Sequence, residues 1–142
     1  MDEIVTITVK EGCLDQILQV KQGDWIDLRT DEEVALFPNT YYEISLGVAM
    51  KLPKGYEALV VPRSSTFKKY GVILANSIGV IDESYCGEND VWKMPVYSLK
   101  ATVIPKGTRI AQFRIFPHQP KIVFAEGELN EADRGGFGST GA

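Results

Sequence analysis

Short apolar and β-branched runs, each closed by turn residues, dominate this chain and predict strands. Residues 4–9 read Ile-Val-Thr-Ile-Thr-Val, a composition that suits a pleated surface. Comparable runs cover Tyr41–Lys51, Tyr56–Val61, Val72–Ala75, Val91–Leu99, Arg109–Phe116 and Lys121–Ala125. Many short strands bounded by turns point to an all-β sandwich or barrel. The tripeptide Pro-Lys-Gly occurs twice, at 53–55 and 105–107. Each copy sets φ at Pro and then offers a residue that tolerates φ > 0, the chemistry of a tight turn. Helix is scarce. Ser64–Tyr70 predicts one or two turns, with the hydroxyls of Ser64, Ser65 and Thr66 near the start and Gly71 at the end. Leu14, Ile17 and Leu18 have helical spacing within 12–21, and Gly23 would stop that helix early.

Composition narrows the class. A chain of 142 residues with 44% hydrophobic side chains fits one domain that needs no disulfide or structural metal to hold a core. Fifteen Lys and Arg against 19 Asp and Glu leave a net charge of −4, which argues against a nucleic-acid binder. A small phosphorylated ligand remains compatible, because local charge and metal ions override the global sign. No apolar run approaches the ~20 residues of a membrane span. The start, Met1-Asp2-Glu3-Ile4, lacks a secretion signal's basic and apolar regions. Cys13 and Cys86 form neither a disulfide framework nor a zinc spacing, so a cytoplasmic protein with reduced thiols is expected. The single histidine, His118, lies in a loop-like stretch, so a general base is expected to be a carboxylate.

Four segments could carry chemistry. Pro62-Arg63-Ser64-Ser65 leaves a strand with a cation, two hydroxyls and free N–H groups, which suits an anion and equally an ordinary N-cap. In Gly79-Val80-Ile81-Asp82-Glu83-Ser84-Tyr85-Cys86-Gly87, a strand leads straight to Asp82. A carboxylate there could orient and deprotonate a water, or simply cap the turn. Asn76, six residues earlier, has the donor and acceptor that a nucleobase edge asks for. In Arg109-Ile110-Ala111-Gln112, alternation puts Arg109 and Ala111 on one face and Ile110 and Gln112 on the other. The Gly-rich end, Arg134 to Ala142, combines a cation, Phe137, the hydroxyls of Ser139 and Thr140, and glycines. That is a phosphate-cradling composition with one stacking group. Asp27 is a candidate carboxylate for a metal's water, with a surface ion pair to Arg29 as the plain alternative.

In order and spacing, these segments resemble the motifs of the trimeric dUTPase family, the dUTP nucleotidohydrolases, and of its bacillus and phage members. Pro62–Ser65 resembles the second motif, Asn76–Gly87 the third, Arg109–Phe113 the fourth and Arg134–Gly141 the fifth. The first motif departs from pattern. The family usually has Ala-Gly, one residue, then Asp-Leu; here Asp24-Trp25-Ile26 precedes Asp27-Leu28, with Trp25 in the place of the glycine.

The resemblance implies a jelly-roll-like β-barrel or sandwich that forms a homotrimer. Residues 1–133 would be the β domain and 134–142 a flexible arm closing an active site at a subunit interface. It implies hydrolysis of dUTP to dUMP and pyrophosphate, assisted by Mg²⁺, with Asp82 activating the water that attacks the α-phosphorus. Asn76 and the backbone near Val80 would read uracil, Tyr85 would pack under the deoxyribose, and Phe137 would cover the base. Arg63, Ser64, Ser65, Gln112, Arg134, Ser139 and Thr140 would hold the phosphates, and Asp27 the metal through water. Two alternatives stay open: a dCTP deaminase-like enzyme of the same architecture, and a regulatory protein for which the nucleotide is a signal. A regulatory protein partner is also compatible with retained dUTP hydrolysis.

Overall fold

The computed structural model of the chain describes residues 2–9, 17 and 23–138. Most of the alternating runs become strands. β1 is Thr6–Val9, β2 Ile26–Arg29, β3 Val34–Leu36, β4 Thr40–Ser45, β5 Val48–Lys51 and β6 Tyr56–Pro62. A short helix, α1, spans Thr66–Tyr70; β7 (Val72–Leu74), β8 (Gly79–Ile81), β9 (Lys93–Ser98), β10 (Thr102–Ile104) and β11 (Arg109–Pro117) follow. The run 41–51 divides into β4 and β5 at Gly47, whose φ of 69° needs a residue without a Cβ. Strands β2, β3 and β10 have three or four residues, too few for alternation to reveal them.

All pairings are antiparallel. The largest sheet runs β2-β11-β6-β8, a second runs β4-β9-β7, and β1-β5 and β3-β10 form two-stranded ribbons. Their inward side chains meet in one core. Leu28, Ile44, Val60, Val72, Met94, Val96, Ile104, Ile110 and Phe113 are all essentially excluded from solvent. Each such side chain contributes roughly 1.5–3 kcal/mol by leaving water. Trp92 lies at the centre, its ring edge-on to Phe113 at 5.1 Å between centroids. Within the Glu88–Lys93 segment it is Trp92 that serves packing, and it also exchanges backbone bonds with Leu46 and Val48. Its indole Nε1 is the one buried side-chain polar atom among the described residues that has no partner.

The two Pro-Lys-Gly copies form the expected turns. Gly55 and Gly107 have φ of 88° and 81°, and the following N–H returns to the proline carbonyl, at 3.1 Å for Tyr56 and 3.2 Å for Thr108. Helix α1 ends on left-handed Gly71 as expected. Its start differs from expectation. Ser65 occupies the N-cap position without a side-chain cap bond, and the buried Thr66 hydroxyl does the local work. It accepts the Arg63 N–H at 3.1 Å and donates to the Ile110 carbonyl at 2.8 Å.

Two expectations are corrected. Residues 121–125 form no strand: Ile122, Val123 and Phe124 are exposed, and 118–138 has no ladder partner among the described residues. Alternation also fails near the start of β11. A register shift between Arg109 and Ala111 turns both Ile110 and Ala111 into the core and leaves Gln112 half-buried. An extra residue in one strand reverses the facing of those beyond it, which a period of two cannot anticipate. Of the expected helix at 12–21, only Ile17 is described; it is helical and packs on the core.

Candidate active site

Strand pairing assembles a cationic cluster from three distant segments. Asp27 on β2 lies opposite Gln112 on β11, and Ala111 lies opposite Pro62 at the end of β6. The Asp27 carboxylate contacts Arg63 Nε at 3.0 Å and Arg109 Nη1 at 3.7 Å. Arg29 does not pair with Asp27; its guanidinium donates to the Gly107 carbonyl at 3.0 Å. The Asp27–Arg29 expectation is therefore replaced, because neighbours two apart on a strand share a face but the cross-strand arginines come closer. Gln112 Nε2 donates to the Pro62 carbonyl at 3.2 Å. Arg63 and Arg109 border a cavity of about 260 Å³, lined also by Ser65, Lys69, Tyr70 and Thr108. Ser64 is exposed at its edge of α1, and Ser65, having no cap to make, keeps its hydroxyl available. Lys69, Tyr70 and Thr108 were not legible as site residues, since their only distinction is where α1 and the second Pro-Lys-Gly turn place them.

A second cluster sits elsewhere. β8 is the far edge of the four-stranded sheet, three strand spacings from β2, or about 14 Å. It runs antiparallel to β6, with Gly79 opposite Val60 and Ile81 opposite Ala58. Asp82 therefore leaves the sheet near Glu57, while Arg63 follows the other end of β6, about 20 Å along the strand. Asn76 and exposed Val80 belong to the turn and strand that precede Asp82. One chain brings Arg63, Arg109 and Asp27 together with Gln112 opposite Asp27, and places Asp82 and Tyr85 in a separate turn, with Asn76 and Val80 earlier on the hairpin that leads to it.

Asp82 is exposed, and the Ser84 hydroxyl and Ser84 N–H (2.8 Å) both donate to its Oδ2. These bonds, chiefly the hydroxyl's, hold the Asp82 carboxyl below its ordinary range, with a smaller contribution from His118. The group is thus ionised at any physiological pH. Asp-x-Ser before a turn is a recognisable local signal for this arrangement. Tyr85 closes the same turn through its N–H to the Asp82 carbonyl at 3.0 Å. Its phenol donates to the Val91 carbonyl at 3.0 Å, which fixes the ring. Burial first, then Asp90 and Glu43, push the Tyr85 phenol up, so it stays neutral.

Arg134 and Phe137 are exposed on the stretch after β11 and approach neither cluster through any hydrogen bond or ion pair described. Ser139 and Thr140 lie outside the described residues, as does Cys13. Cys86 is exposed and unpaired. No group of three or more His, Cys, Asp or Glu among the described residues could hold a metal ion unaided. No helix among the described residues is long and apolar enough to cross a membrane.

The dUTPase family model matches residues 25–141, which includes Asp27, Arg63, Asn76, Asp82, Tyr85, Arg109, Gln112 and Arg134. The chain belongs to the dUTPase family. It is 56% identical over 127 residues to the SPbeta prophage-derived deoxyuridine 5′-triphosphate nucleotidohydrolase of Bacillus subtilis, an alignment covering 89% of each chain. It is 43% identical over 113 residues to the deoxyuridine 5′-triphosphate nucleotidohydrolase of Hydrogenobaculum, covering 78% of each. Among solved dUTPases, that of Staphylococcus bacteriophage 80alpha with dUpNHpp superposes with a TM-score of 0.80 at 22% identity, covering 98% of this chain and 99% of that one. The dUTPase of phage phi11 superposes at 0.75 with 18% identity, covering 90% and 99%; its structure is described as revealing the coordination of a structural Mg(II) ion. These likenesses establish the dUTPase fold, and with it the all-β, jelly-roll-like class expected for the chain.

Proposed function

We propose that this chain hydrolyses dUTP to dUMP and pyrophosphate in the cytoplasm, with Asp82 as the general base. The observation that carries this reading is the state of Asp82. Both of its bonds from the chain go to Oδ2, which leaves Oδ1 to accept a proton from a water. The low proton affinity that Ser84 imposes makes this a weak base, so positioning and charge stabilisation must supply most of the rate. The cationic cluster fits that need. Asp27 contacts the Arg63 and Arg109 guanidiniums beside the cavity, where Ser65 can bond phosphate oxygens, with Ser64 and Gln112 adjoining it in the chain and the sheet.

Asp82 and Arg63 leave opposite ends of the β6–β8 pair, and two half-sites so separated call for a further chain. We read the active molecule as a homotrimer, in which one chain's Asp82 cluster meets another's phosphate cluster. Residues 134–142 would act as the arm, with Arg134, Ser139 and Thr140 on the terminal phosphates and Phe137 over the base. Asn76 and the Val80 backbone would bond the uracil edge, and cytosine would leave those groups mismatched, which can cost a factor of ~10⁴. Tyr85, with its ring fixed by Val91, would support the deoxyribose.

The donor set fits Mg²⁺ carried by the substrate. Mg²⁺ commonly takes one or two protein carboxylates, several waters and the substrate's phosphates. Asp27 is the one acidic side chain in the phosphate cluster, and it reaches a metal through water most readily because its oxygens already serve two arginines. Such an ion would supply positive charge to the triphosphate and bend it into line.

The test is pyrophosphate release from dUTP with Mg²⁺, run beside dCTP, dTTP and UTP. Release from dUTP alone is expected. Asp82→Asn should bind dUTP normally and turn over at least ~10²-fold more slowly, as for loss of a positioned base. Normal turnover by that variant would refute the base assignment. dUTP held intact by the unaltered chain would instead indicate a regulatory binding protein.

A further inference from the structure

Asp82 is exposed, and the hydrogen bonds to its carboxylate come from a residue two positions away. Local bonds orient a side chain within its loop; they do not place the loop. β8 ends at Ile81 against Ala58. Beyond it Tyr85 is tied to Val91, and Glu83 makes the attachment to a different hairpin. Its side chain turns back to the β5–β6 connection, where Oε1 accepts the Gly55 N–H at 2.5 Å. The other oxygen lies 4.0 Å from His118 Nε2. The Gly55 carbonyl in turn accepts the His118 N–H at 3.0 Å. Three segments therefore converge on Gly55: a preset turn, the loop bearing Asp82, and the chain as it leaves β11. The turn itself is closed by Tyr56 N–H to the Pro53 carbonyl, which leaves the Gly55 N–H for Glu83.

We propose that Glu83 is a positioning residue for the reaction: it anchors the Asp82 loop to Gly55 and to the root of the C-terminal stretch. The proposal rests on Asp82 being the base. Its core is the bond from the Gly55 backbone N–H to a side-chain oxygen at the reach of Glu83. The exposed pair with His118 is the weaker half, as surface ion pairs are. The catalytic need is geometric. A base that must meet a water and a phosphorus held by other groups loses much of its effect when displaced by an ångström.

The experiment uses the full chain with dUTP and Mg²⁺, reading kcat, KM, thermal midpoint and hydrogen exchange at the Gly55 amide. Glu83→Ala should lower kcat about tenfold while KM stays within about twofold. Glu83→Gln keeps an oxygen acceptor at the same reach and should recover most of kcat. Glu83→Asp keeps the charge, withdraws the acceptor by one methylene and should behave like Ala. The Gly55 amide should exchange faster in the Ala and Asp variants and stay protected in Gln; this holds the proposal open to refutation if Ala alone fails to fold. Wild-type kcat in Ala and Asp would overturn it. So would equal losses in Gln and Asp, or a kcat loss that only tracks the thermal midpoint. Asp82→Asn in the same assay separates the two claims. An inactive Asp82→Asn beside an unaffected Glu83→Ala refutes positioning alone. An active Asp82→Asn refutes the base, and the positioning role with it, even where Gly55 exchange still reports the anchor.

Discussion

Strand β11 and the residues that follow it contrast sharply within a few positions. β11 is flanked by β2 on one side and β6 on the other, and it buries Ile110, Ala111 and Phe113 completely. Just beyond Pro117 the chain runs from 118 to 138 with no ladder partner among the described residues, and Val123 and Phe124 are 83% and 94% exposed. Both regions contain apolar residues in strand-like runs, and both carry a family motif. The difference is the neighbour. A strand exists where a second strand supplies hydrogen bonds and a core accepts its side chains. On β11, that arrangement holds Arg109 against Asp27 and Gln112 against Pro62; Arg134 and Phe137 have no comparable support.

This contrast can be broken or sharpened by experiment. The largest effect is expected in the packed region. Trp92→Ala removes the ring that packs on Phe113 and should cost about 3–5 kcal/mol. Against the ~5–15 kcal/mol of an ordinary domain, that threatens folding itself, and urea titration would measure it. Survival of the variant with an unchanged midpoint would mean that this core is less demanding than its burial implies.

Deletion of 134–142 should do the reverse: an unchanged urea midpoint with kcat/KM reduced roughly 10²-fold, the scale of lost substrate positioning. A lowered midpoint would make the segment structural and erase the distinction between the regions.

The smallest effect lies at their junction. The Gln119 carbonyl raises His118 above its ordinary pKa; burial opposes it, and Glu83 and Glu57 add smaller upward contributions. A raised cation stabilises the fold fully below its unfolded pKa of about 6.5 and loses that contribution as pH rises through the folded value. His118→Gln should therefore lower the thermal midpoint slightly at about pH 6 and leave it unchanged once the pH has passed that raised value. An equal difference at both pH values would assign the effect to packing instead of charge.

Much of the candidate site was proposed from order and spacing. Asp82 follows an apolar strand and precedes a turn, and Ser84 two residues later is a local pattern that its hydrogen bonds now explain. Asn76, Tyr85, Arg63 and Gln112 were legible in the same way, by position within motifs. Lys69, Thr108 and the Glu83–Gly55 contact were not. Gly55 and Glu83 are 28 residues apart, and no local pattern links a turn glycine to a carboxylate on another hairpin.

By itself the sequence determined the strand-rich class, the two Pro-Lys-Gly turns, the short helix before Gly71 and the family motifs. Each depends on interactions within a few residues: preset φ at proline, tolerance of positive φ at glycine, and β-branched residues on a pleat. Only the tertiary structure decided which arginines Asp27 meets, where alternation fails in β11, and that 121–125 stays unpaired. It also decided that Asp82 and Arg63 lie at opposite ends of β6. Those outcomes depend on which strands become neighbours and in what register, and register is settled by burying one face of every strand in a common core.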